Sequence, residues 1–154
     1  MEKEGSNMKL EIISYRSADY RSMCSLRDEI LRKPIGLRLT EEECLRDAKE
    51  LLLVAKEQDK VIACCILSPV DDNTVQLRQM AVDARLQGQG VGSLLLAFAE
   101  QTARAQGFST MMMHARKTAV HFYQKQHYEP QGEEFEEVGI PHYIMTKGLN
   151  KRNQ

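Results

Sequence analysis

The run from Arg85 to Gly92, RLQGQGVG, has the composition and position of an anion-binding loop. It lies between a strand-like run, 74–82, and a helix-like run, 93–106. The first turn of a helix carries backbone N–H groups that have no partner inside the helix, and the helix dipole favours negative charge there. The glycines of the run let the backbone approach a phosphate with no Cβ in the way. The pattern therefore predicts a ligand that bears phosphate.

Two common phosphate-binding motifs do not fit this loop. A Walker loop needs a Lys-Ser/Thr pair after its glycines, and Val91-Gly92-Ser93 does not supply one. A dinucleotide fingerprint needs Gly-x-Gly-x-x-Gly and an acidic residue about 20 positions on. The glycine spacing here is Gly88-x-Gly90-x-Gly92, and no acidic residue lies beside Phe108. A generic nucleotide-phosphate binder is thus disfavoured, while an ordinary strand-to-helix turn stays open.

The strand before the loop changes its hydrophobic phase. Val75 and Leu77 are apolar at odd positions, whereas Met80 and Val82 are apolar at even positions. Because side chains alternate strictly along a strand, the change predicts one extra residue near Arg78–Gln79, a β-bulge. A strand bent in this way can offer its free backbone groups to an extended ligand. A regular strand with a buried Gln79 is the alternative.

Three segments together resemble the GNAT superfamily of acetyltransferases. Gln87-x-x-Gly90-x-Gly92 is similar to that family's Gln/Arg-x-x-Gly-x-Gly/Ala motif, and the strand ending Gln79-Met80-Ala81-Val82 is similar to its pantetheine-contacting strand. Ala119 to Lys125, AVHFYQK, resembles its Ala-x-x-Phe-Tyr-x-Lys helix. The resemblance covers roughly residues 8–150, and the tail resembles a subgroup of small bacterial members. One departure is His127, where the family usually has Gly; His tolerates the left-handed conformation better than most residues.

The resemblance implies transfer of an acetyl group from acetyl-CoA to a primary amine by direct attack, without a metal. It implies that backbone groups of the strand hold pantetheine and polarise the acyl carbonyl, through the N–H of Met80 or Val82. The loop and helix start would hold the pyrophosphate. The implied cofactor-binding residues are Met80, Ala81, Val82, Gln87, Gly88, Gln89, Gly90, Val91, Gly92 and Ser93.

Tyr123 occupies the position of the family's general acid. A phenol with an unperturbed pKa of about 10 suits protonation of a departing thiolate. Spacing alone, one turn after Ala119, favours an aromatic core residue. A non-catalytic acyl-CoA-binding regulatory module of the same fold is the rival function, because such a module would keep the loop without needing an acid.

The acceptor implied by the resemblance is a small-molecule or peptide amine, and the sequence leaves open which amine it is and which residue is the general base. His142 has a suitable residue type for a base, as do the carboxylates of Glu134 and Glu137. By family analogy His114 and Arg116 follow the fifth strand closer to the cofactor, where Arg116 could bind a phosphate or an acidic acceptor. A basic stretch either attracts an anionic acceptor or forms a solvated helix face; its members are Arg27, Arg32, Lys33 and Arg38.

Composition limits the function classes. The 154 residues suit a single domain, 1–154, with frayed ends at about 1–7 and 150–154. A net charge of −1 and scattered basic residues disfavour nucleic acid as a partner, and no apolar run is long enough to cross a membrane. The four cysteines have no metal-ligand spacing and no signal peptide precedes them, which favours a reducing, cytoplasmic setting. A homodimer stays open.

The elements needed to position these residues follow from periodicity and capping signals. Ser17 or Asp19 begins a helix to about Leu31, and Thr40-Glu41-Glu42-Glu43 predicts a capping box for a second helix to about Lys49. The helix after the glycines has an apolar face and a polar face. The residues expected to face inward are Val91, Leu94, Leu95, Phe98, Thr102 and Ala105, and those expected to face water are Ser93, Glu100, Gln101 and Arg104. Thr118 should cap a last helix to about His127. The predicted strands are 10–15, 51–57, 61–67, 74–82, 109–114, 128–136 and 142–149.

These elements predict an α/β (α+β) fold. About seven strands, joined both by hairpins and by helices, form a mixed, mostly antiparallel central sheet with about four flanking helices. The family resemblance implies the acyl-CoA N-acyltransferase (GNAT) fold, with a V-shaped splay between the fourth and fifth strands.

Overall fold

Seven strands and four α-helices make up the part of the chain that the computed structural model describes, residues 8–149. The strands are β1 (Met8–Ile13), β2 (Leu51–Glu57), β3 (Lys60–Pro69), β4 (Thr74–Val82), β5 (Thr110–Arg116), β6 (Glu129–Glu137) and β7 (Ile140–Gly148). The α-helices are α1 (Ala18–Arg27), α2 (Glu41–Arg46), α3 (Val91–Ala105) and α4 (Val120–Lys125). The expected frayed ends, 1–7 and 150–154, lie outside the described residues.

The strands form one sheet in the order β1-β2-β3-β4-β5-β7-β6. β4 pairs with β5 in parallel, from Thr74–Thr110 to Leu77–Met113. Antiparallel pairing joins β1 to β2, β2 to β3, β5 to β7 and β6 to β7. The predicted mixed, mostly antiparallel sheet with four helices is therefore confirmed, while the splay between β4 and β5 stays a prediction.

The chain forms two compact units. The first extends to Leu67 and includes the stretch from Gln79 to Ala99. Its helices α1 and α2 cover one face of β2 and β3. The buried residues of this core are Tyr20, Met23, Leu26, Leu52, Val54, Val61, Cys64, Ile66 and Ala81.

The second unit comprises the stretch from Ser68 to Arg78 and the chain from Glu100 onward. Its interior contains a cluster of buried polar side chains that bond to one another. The Tyr128 hydroxyl donates to Oε2 of Glu100 at 2.7 Å, and Lys147 Nζ lies 3.0 Å from Oε1 of the same carboxylate. Glu100 is buried, so the prediction that it faces water is wrong. Helical periodicity describes α3 alone, whereas the partners of this carboxylate come from β7 and from Tyr128, the residue before β6.

The buried face of helix α3 agrees only in part with the predicted one. Leu94 is 48% exposed, whereas Leu95, Ala99 and Ala103 are fully buried. The inward stripe follows the spacing i, i+4, i+8, and small alanines occupy two of its positions. The prediction is therefore right for Val91, Leu95 and Thr102 and wrong for Leu94 and Ala105. It missed the buried alanines because a pattern weighted towards large apolar residues gives them no signal.

Two of the three predicted helix caps are confirmed. The Ser17 side chain accepts a hydrogen bond from Tyr20 N–H at 3.1 Å. Thr40 and Glu43 form the reciprocal capping box that opens α2. The cap at Thr118 is wrong, because a 3-10 turn, Lys117–Ala119, precedes α4 and Ala119 stands at its N-cap without a side-chain bond.

Element boundaries differ from the prediction by up to four residues. α1 ends at Arg27, and a π-helical turn, Asp28–Arg32, continues it past the predicted end. β5 reaches Arg116, two residues beyond the predicted end, so His114 and Arg116 both lie inside the strand. α4 ends at Lys125, two residues before His127. Within residues 8–149, no helix has the length and apolar character required to cross a bilayer.

The cysteines divide into two pairs with different expected reactivity. Cys64 and Cys65 are fully buried, and burial raises the pKa of Cys64 to about 12. Cys24 and Cys44 are partly exposed, with their sulfur atoms 4.0 Å apart. Because the thiolate is the reactive form, we expect a thiol-specific chromogenic reagent to modify at most two cysteines in the native protein and all four after unfolding. Four rapid reactions in the native state would contradict the burial of β3.

Candidate cofactor and active site

Strand β4 contains one residue more than the stretch of β3 beside it. Val70 N–H donates to Thr74 O at one end of the β3–β4 hairpin, and Asp83 N–H donates to Ile62 O at the other, both at 2.8 Å. Eight steps separate Ile62 from Val70, whereas nine separate Thr74 from Asp83. A regular antiparallel pair requires equal steps, so β4 carries the extra residue predicted from its hydrophobic phase.

Gln79 is the irregular residue of this strand. Its φ is 57°, in the left-handed region that non-glycine residues rarely adopt. After it, Ala81 packs into the core beneath α1 and α2. Because Asp83 directs its N–H towards β3, and successive residues alternate, the backbone groups of Met80 and Val82 point away from β3. The bulge thus presents two residues of strand backbone in the direction opposite to β3.

The segment between β4 and the loop is held by local hydrogen bonds. Asp83 accepts from the Arg85 backbone N–H at 3.0 Å and forms an ion pair with its guanidinium, also at 3.0 Å. These hydrogen bonds lower the pKa of Asp83 to about 2. Gln87 Nε2 donates to the carbonyl oxygen of Val82 at 2.9 Å. The Gln87 side chain therefore ties the loop to the end of the bulged strand.

The backbone conformation of the loop requires glycine at two positions. Gly88 and Gly90 have φ values of 84° and 86°, whereas Gly92 lies within α3. A Cβ added at Gly88 or Gly90 would have no protein atom within 4 Å. Positive φ, rather than crowding by the protein, therefore explains glycine at both positions.

The start of α3 supplies backbone donors. Leu94 N–H donates to Gly90 O at 3.1 Å, which is the first bond of the helix. The N–H groups of Val91 and Gly92 precede that bond and so have no acceptor within the helix. Gln89 N–H donates to Leu86 O at 3.3 Å and is part of the preceding turn. The helix start therefore offers the N–H groups of Val91 and Gly92 to an anion, whereas the N–H of Gln89 is used within the loop.

Tyr123 lies on α4 in the second unit and is 6% exposed. Its ring packs edge-on against Phe122, with centroids 5.0 Å apart, and against Tyr128 at 5.8 Å. The Tyr123 carbonyl accepts from the N–H of Tyr128 at 3.0 Å across the end of the helix. His127 stands in this turn with φ of 75°, so the residue that departs from the family pattern adopts the conformation glycine would have.

The candidate bases lie on β5, β6 and β7 of the second unit. His114 Nδ1 is 2.8 Å from Oε1 of Glu137, and the His114 ring meets Phe135 edge-on at 5.3 Å. His142 is 4% exposed, and its Nδ1 donates to the carbonyl of Ile140 at 2.7 Å. The structure therefore brings His114 and Glu137 together as a partly exposed pair and gives His142 a buried structural contact.

The predicted basic stretch does not form one surface. Arg27 is completely buried, and its Nη1 lies 2.7 Å from Oδ2 of Asp47, which also accepts from the Tyr20 hydroxyl at 2.7 Å. Both expectations for Arg27, acceptor binding and a solvated face, are wrong. Its partner Asp47 is 20 residues away, where sequence periodicity gives no signal. Arg32 has partners on two other elements, whereas Lys33 and Arg38 are exposed.

Comparison with known proteins identifies the class. The model of the acetyltransferase (GNAT) family matches residues 14–128, which include the bulged strand, the glycine loop and α4. The chain belongs to this family.

Individual relatives agree with that assignment. A candidate N-acetyltransferase from Lactobacillus plantarum is 27% identical, with a TM-score of 0.84 over 93% of this chain and 99% of that one. A GNAT family acetyltransferase from Elizabethkingia anophelis, solved with acetyl-CoA bound, shares the fold at 19% identity and a TM-score of 0.71, over 92% and 98% of the two chains. The uncharacterized protein YyaT of Bacillus subtilis is 29% identical over 51% of this chain and 53% of its own length. The chain spans about half the length of the first curated relatives it matches.

Proposed function

We propose that this protein is an acetyl-CoA-dependent N-acetyltransferase that acts on a primary amine. The observation that carries the proposal is the bulged strand followed at once by a glycine loop and a helix start. Outward-directed backbone of Met80 and Val82 suits an extended amide-containing chain such as pantetheine. Backbone donors of Val91 and Gly92 suit a pyrophosphate. The family to which the chain belongs supports the same cosubstrate.

The residues around the loop have separate roles in this proposal. Gly88 and Gly90 give the turn its conformation, and Val91, Gly92 and Ser93 form the anion-binding helix start. Gln87 holds the carbonyl of Val82, and Gln89 closes the preceding turn. Ala81 anchors the strand in the core so that Met80 and Val82 on either side keep their direction. A donor aimed at the acyl oxygen stabilises the charge that develops there when the amine attacks.

The reaction we propose is a single direct transfer. The amine nitrogen forms a bond to the acyl carbon, and the bond from that carbon to the CoA sulfur breaks. The departing thiolate takes a proton from the Tyr123 hydroxyl, and the new amide nitrogen loses one to a base or to water. Of the candidate bases, the His114–Glu137 pair suits that role better than His142, because the His114 side chain is 34% exposed whereas His142 is buried. Glu137 accepts from Nδ1 of His114 and leaves the other ring nitrogen for the proton.

A non-catalytic acyl-CoA-binding module is the second candidate function. The burial of Tyr123 between two aromatic rings favours it, since an ordinary core tyrosine would have the same surroundings. A module of this kind would keep the loop and the bulge and would have no use for an acid.

A panel of amine acceptors with acetyl-CoA separates the two functions. The panel includes polyamines, amino sugars, aminoglycosides, amino acids and peptide N-termini, and the readouts are release of free CoA thiol and an acetyl mass increment on the acceptor. An enzyme gives both signals in equal amounts with at least one amine. Tight acetyl-CoA binding without either signal across the panel favours the module.

A further inference from the structure

The turn that follows α1 is unusual. Residues Asp28–Arg32 form a π-helical turn, and such turns are rare and found frequently at functional sites. The last residue of this turn, Arg32, is only 13% exposed at its side chain. The basic stretch predicted from sequence therefore contains one arginine that is neither buried in the core nor solvated.

Arg32 joins two elements that are far apart in sequence. Its Nη2 lies 2.8 Å from Oε2 of Glu43 and donates to Oε1 of Gln79 at 3.2 Å. Glu43 is itself fixed, because its other oxygen accepts from the Thr40 N–H in the capping box of α2. Burial raises the pKa of Glu43, but hydrogen bonds from Thr40 and Arg32 outweigh it and lower that pKa overall. The arginine thus meets a stationary carboxylate on one side and the bulge residue on the other.

Gln79 needs such support. It is a non-glycine residue at φ 57°, and its conformation decides where the next strand residues point. Its carbonyl oxygen accepts from the thiol of Cys64 at 3.6 Å, and its side-chain amide oxygen accepts from Arg32. Both the backbone carbonyl and the side-chain amide of Gln79 therefore have hydrogen-bond partners within the first unit.

We propose that Arg32 is a positioning residue for acyl transfer: it holds Gln79 in the left-handed conformation and so directs the N–H groups of Met80 and Val82. This inference rests on the proposed function, in which those groups polarise the acyl carbonyl. Arg32 has no contact with the reacting atoms in this scheme. Its contribution is the accuracy of a donor position, on which stabilisation of a developing charge depends steeply.

A double-substitution cycle tests this role. Glycine adopts positive φ without support, so Gln79→Gly should remove the need for Arg32. We expect Arg32→Ala to lower kcat about tenfold, less than the loss of a whole oxyanion donor, and to leave the KM for acetyl-CoA within about threefold. In the Gln79→Gly background, the same change should lower kcat by less than about threefold. Arg38→Ala, at an exposed neighbouring arginine, is the matched control and should have no effect.

Equal losses of kcat in the two backgrounds, or no loss in either, would overturn the positioning role. If Arg32→Ala does not fold, Gln79→Met replaces it, because that change removes the acceptor oxygen and keeps both the side-chain length and the φ requirement. Gln79→Met should then lower kcat about as much as predicted for Arg32→Ala, and full activity would refute the proposal.

A readout without turnover separates this inference from the proposed function. In ¹⁵N-labelled protein, Arg32→Ala should shift the amide resonances of Met80 and Val82, and the shift should be smaller in the Gln79→Gly background. If no amine is acetylated but these shifts appear, the proposed function fails, and the contact between Arg32 and Gln79 remains a structural support of the bulge. If the resonances stay in place, the positioning role of Arg32 is refuted, whatever the activity of the variants.

Discussion

Replacing Tyr123 by phenylalanine should lower turnover about 10²-fold, at the low end for loss of a general acid. The change removes one hydroxyl and keeps the ring that packs against Phe122 and Tyr128, so the fold should be retained. Acetyl-CoA affinity, measured by calorimetry, should change little, because the proposed pantetheine and pyrophosphate contacts are made by the strand and the loop. A lower kcat with unchanged affinity indicates an interaction made mainly in the transition state.

Tyr128→Phe is the matched control for this prediction. Its hydroxyl donates to the buried carboxylate of Glu100, and its removal leaves that carboxylate with one partner fewer. We expect a loss of about 1–3 kcal/mol in the free energy of unfolding and an unchanged kcat. Full turnover in Tyr123→Phe would assign the proton donor to water or another group. An equal loss of kcat in both variants would indicate that the ring cluster, rather than a proton, is responsible.

The second large effect is expected at the loop. Gly90→Glu places a negative charge beside the helix start where the pyrophosphate should bind, and it forces a side chain onto a residue with φ of 86°. We expect acetyl-CoA affinity to fall by more than about tenfold from charge repulsion and loss of the turn. Calorimetry on the folded variant measures this directly.

Two controls separate charge from backbone strain in that experiment. Gly90→Ala imposes the strain without the charge. Gly107→Glu imposes both at the other end of α3, where φ is 95° and no protein atom would meet the added Cβ within 4 Å. Gly107→Glu should lower the melting temperature without weakening acetyl-CoA binding. Unchanged affinity in a well-folded Gly90→Glu variant would remove the pyrophosphate from this loop.

Features encoded by neighbouring residues could be predicted from the sequence. The bulge follows from the change of apolar phase between Leu77 and Met80, because a regular strand would place these two side chains on opposite faces of the sheet. The caps at Ser17 and Thr40 follow from residue type at a fixed spacing. The predicted cap at Thr118 was wrong because Thr118 lies inside a short 3-10 turn, Lys117–Ala119, that precedes α4.

Features that depend on distant partners could not be predicted. Glu100 has the sequence context of a solvated helix residue, and only its contacts with Tyr128 and Lys147 explain its burial. Arg27 and Asp47 are paired 20 residues apart, and Arg32 reaches Gln79 across 47 residues. Helical and strand periodicities carry no information on such pairs, because each period describes one element alone.

The most direct test of the proposed site is titration of ¹⁵N-labelled protein with acetyl-CoA, followed by the backbone amide resonances. We predict saturable binding with the largest shifts at Met80 and Val82 on the bulged strand and at Val91 and Gly92 at the start of α3. The same titration of Gly90→Glu should move those resonances by less at equal ligand concentration, because the affinity is lower. Saturable binding that moves other amides and leaves these four unchanged would contradict the proposed acetyl-CoA site, as would the absence of binding.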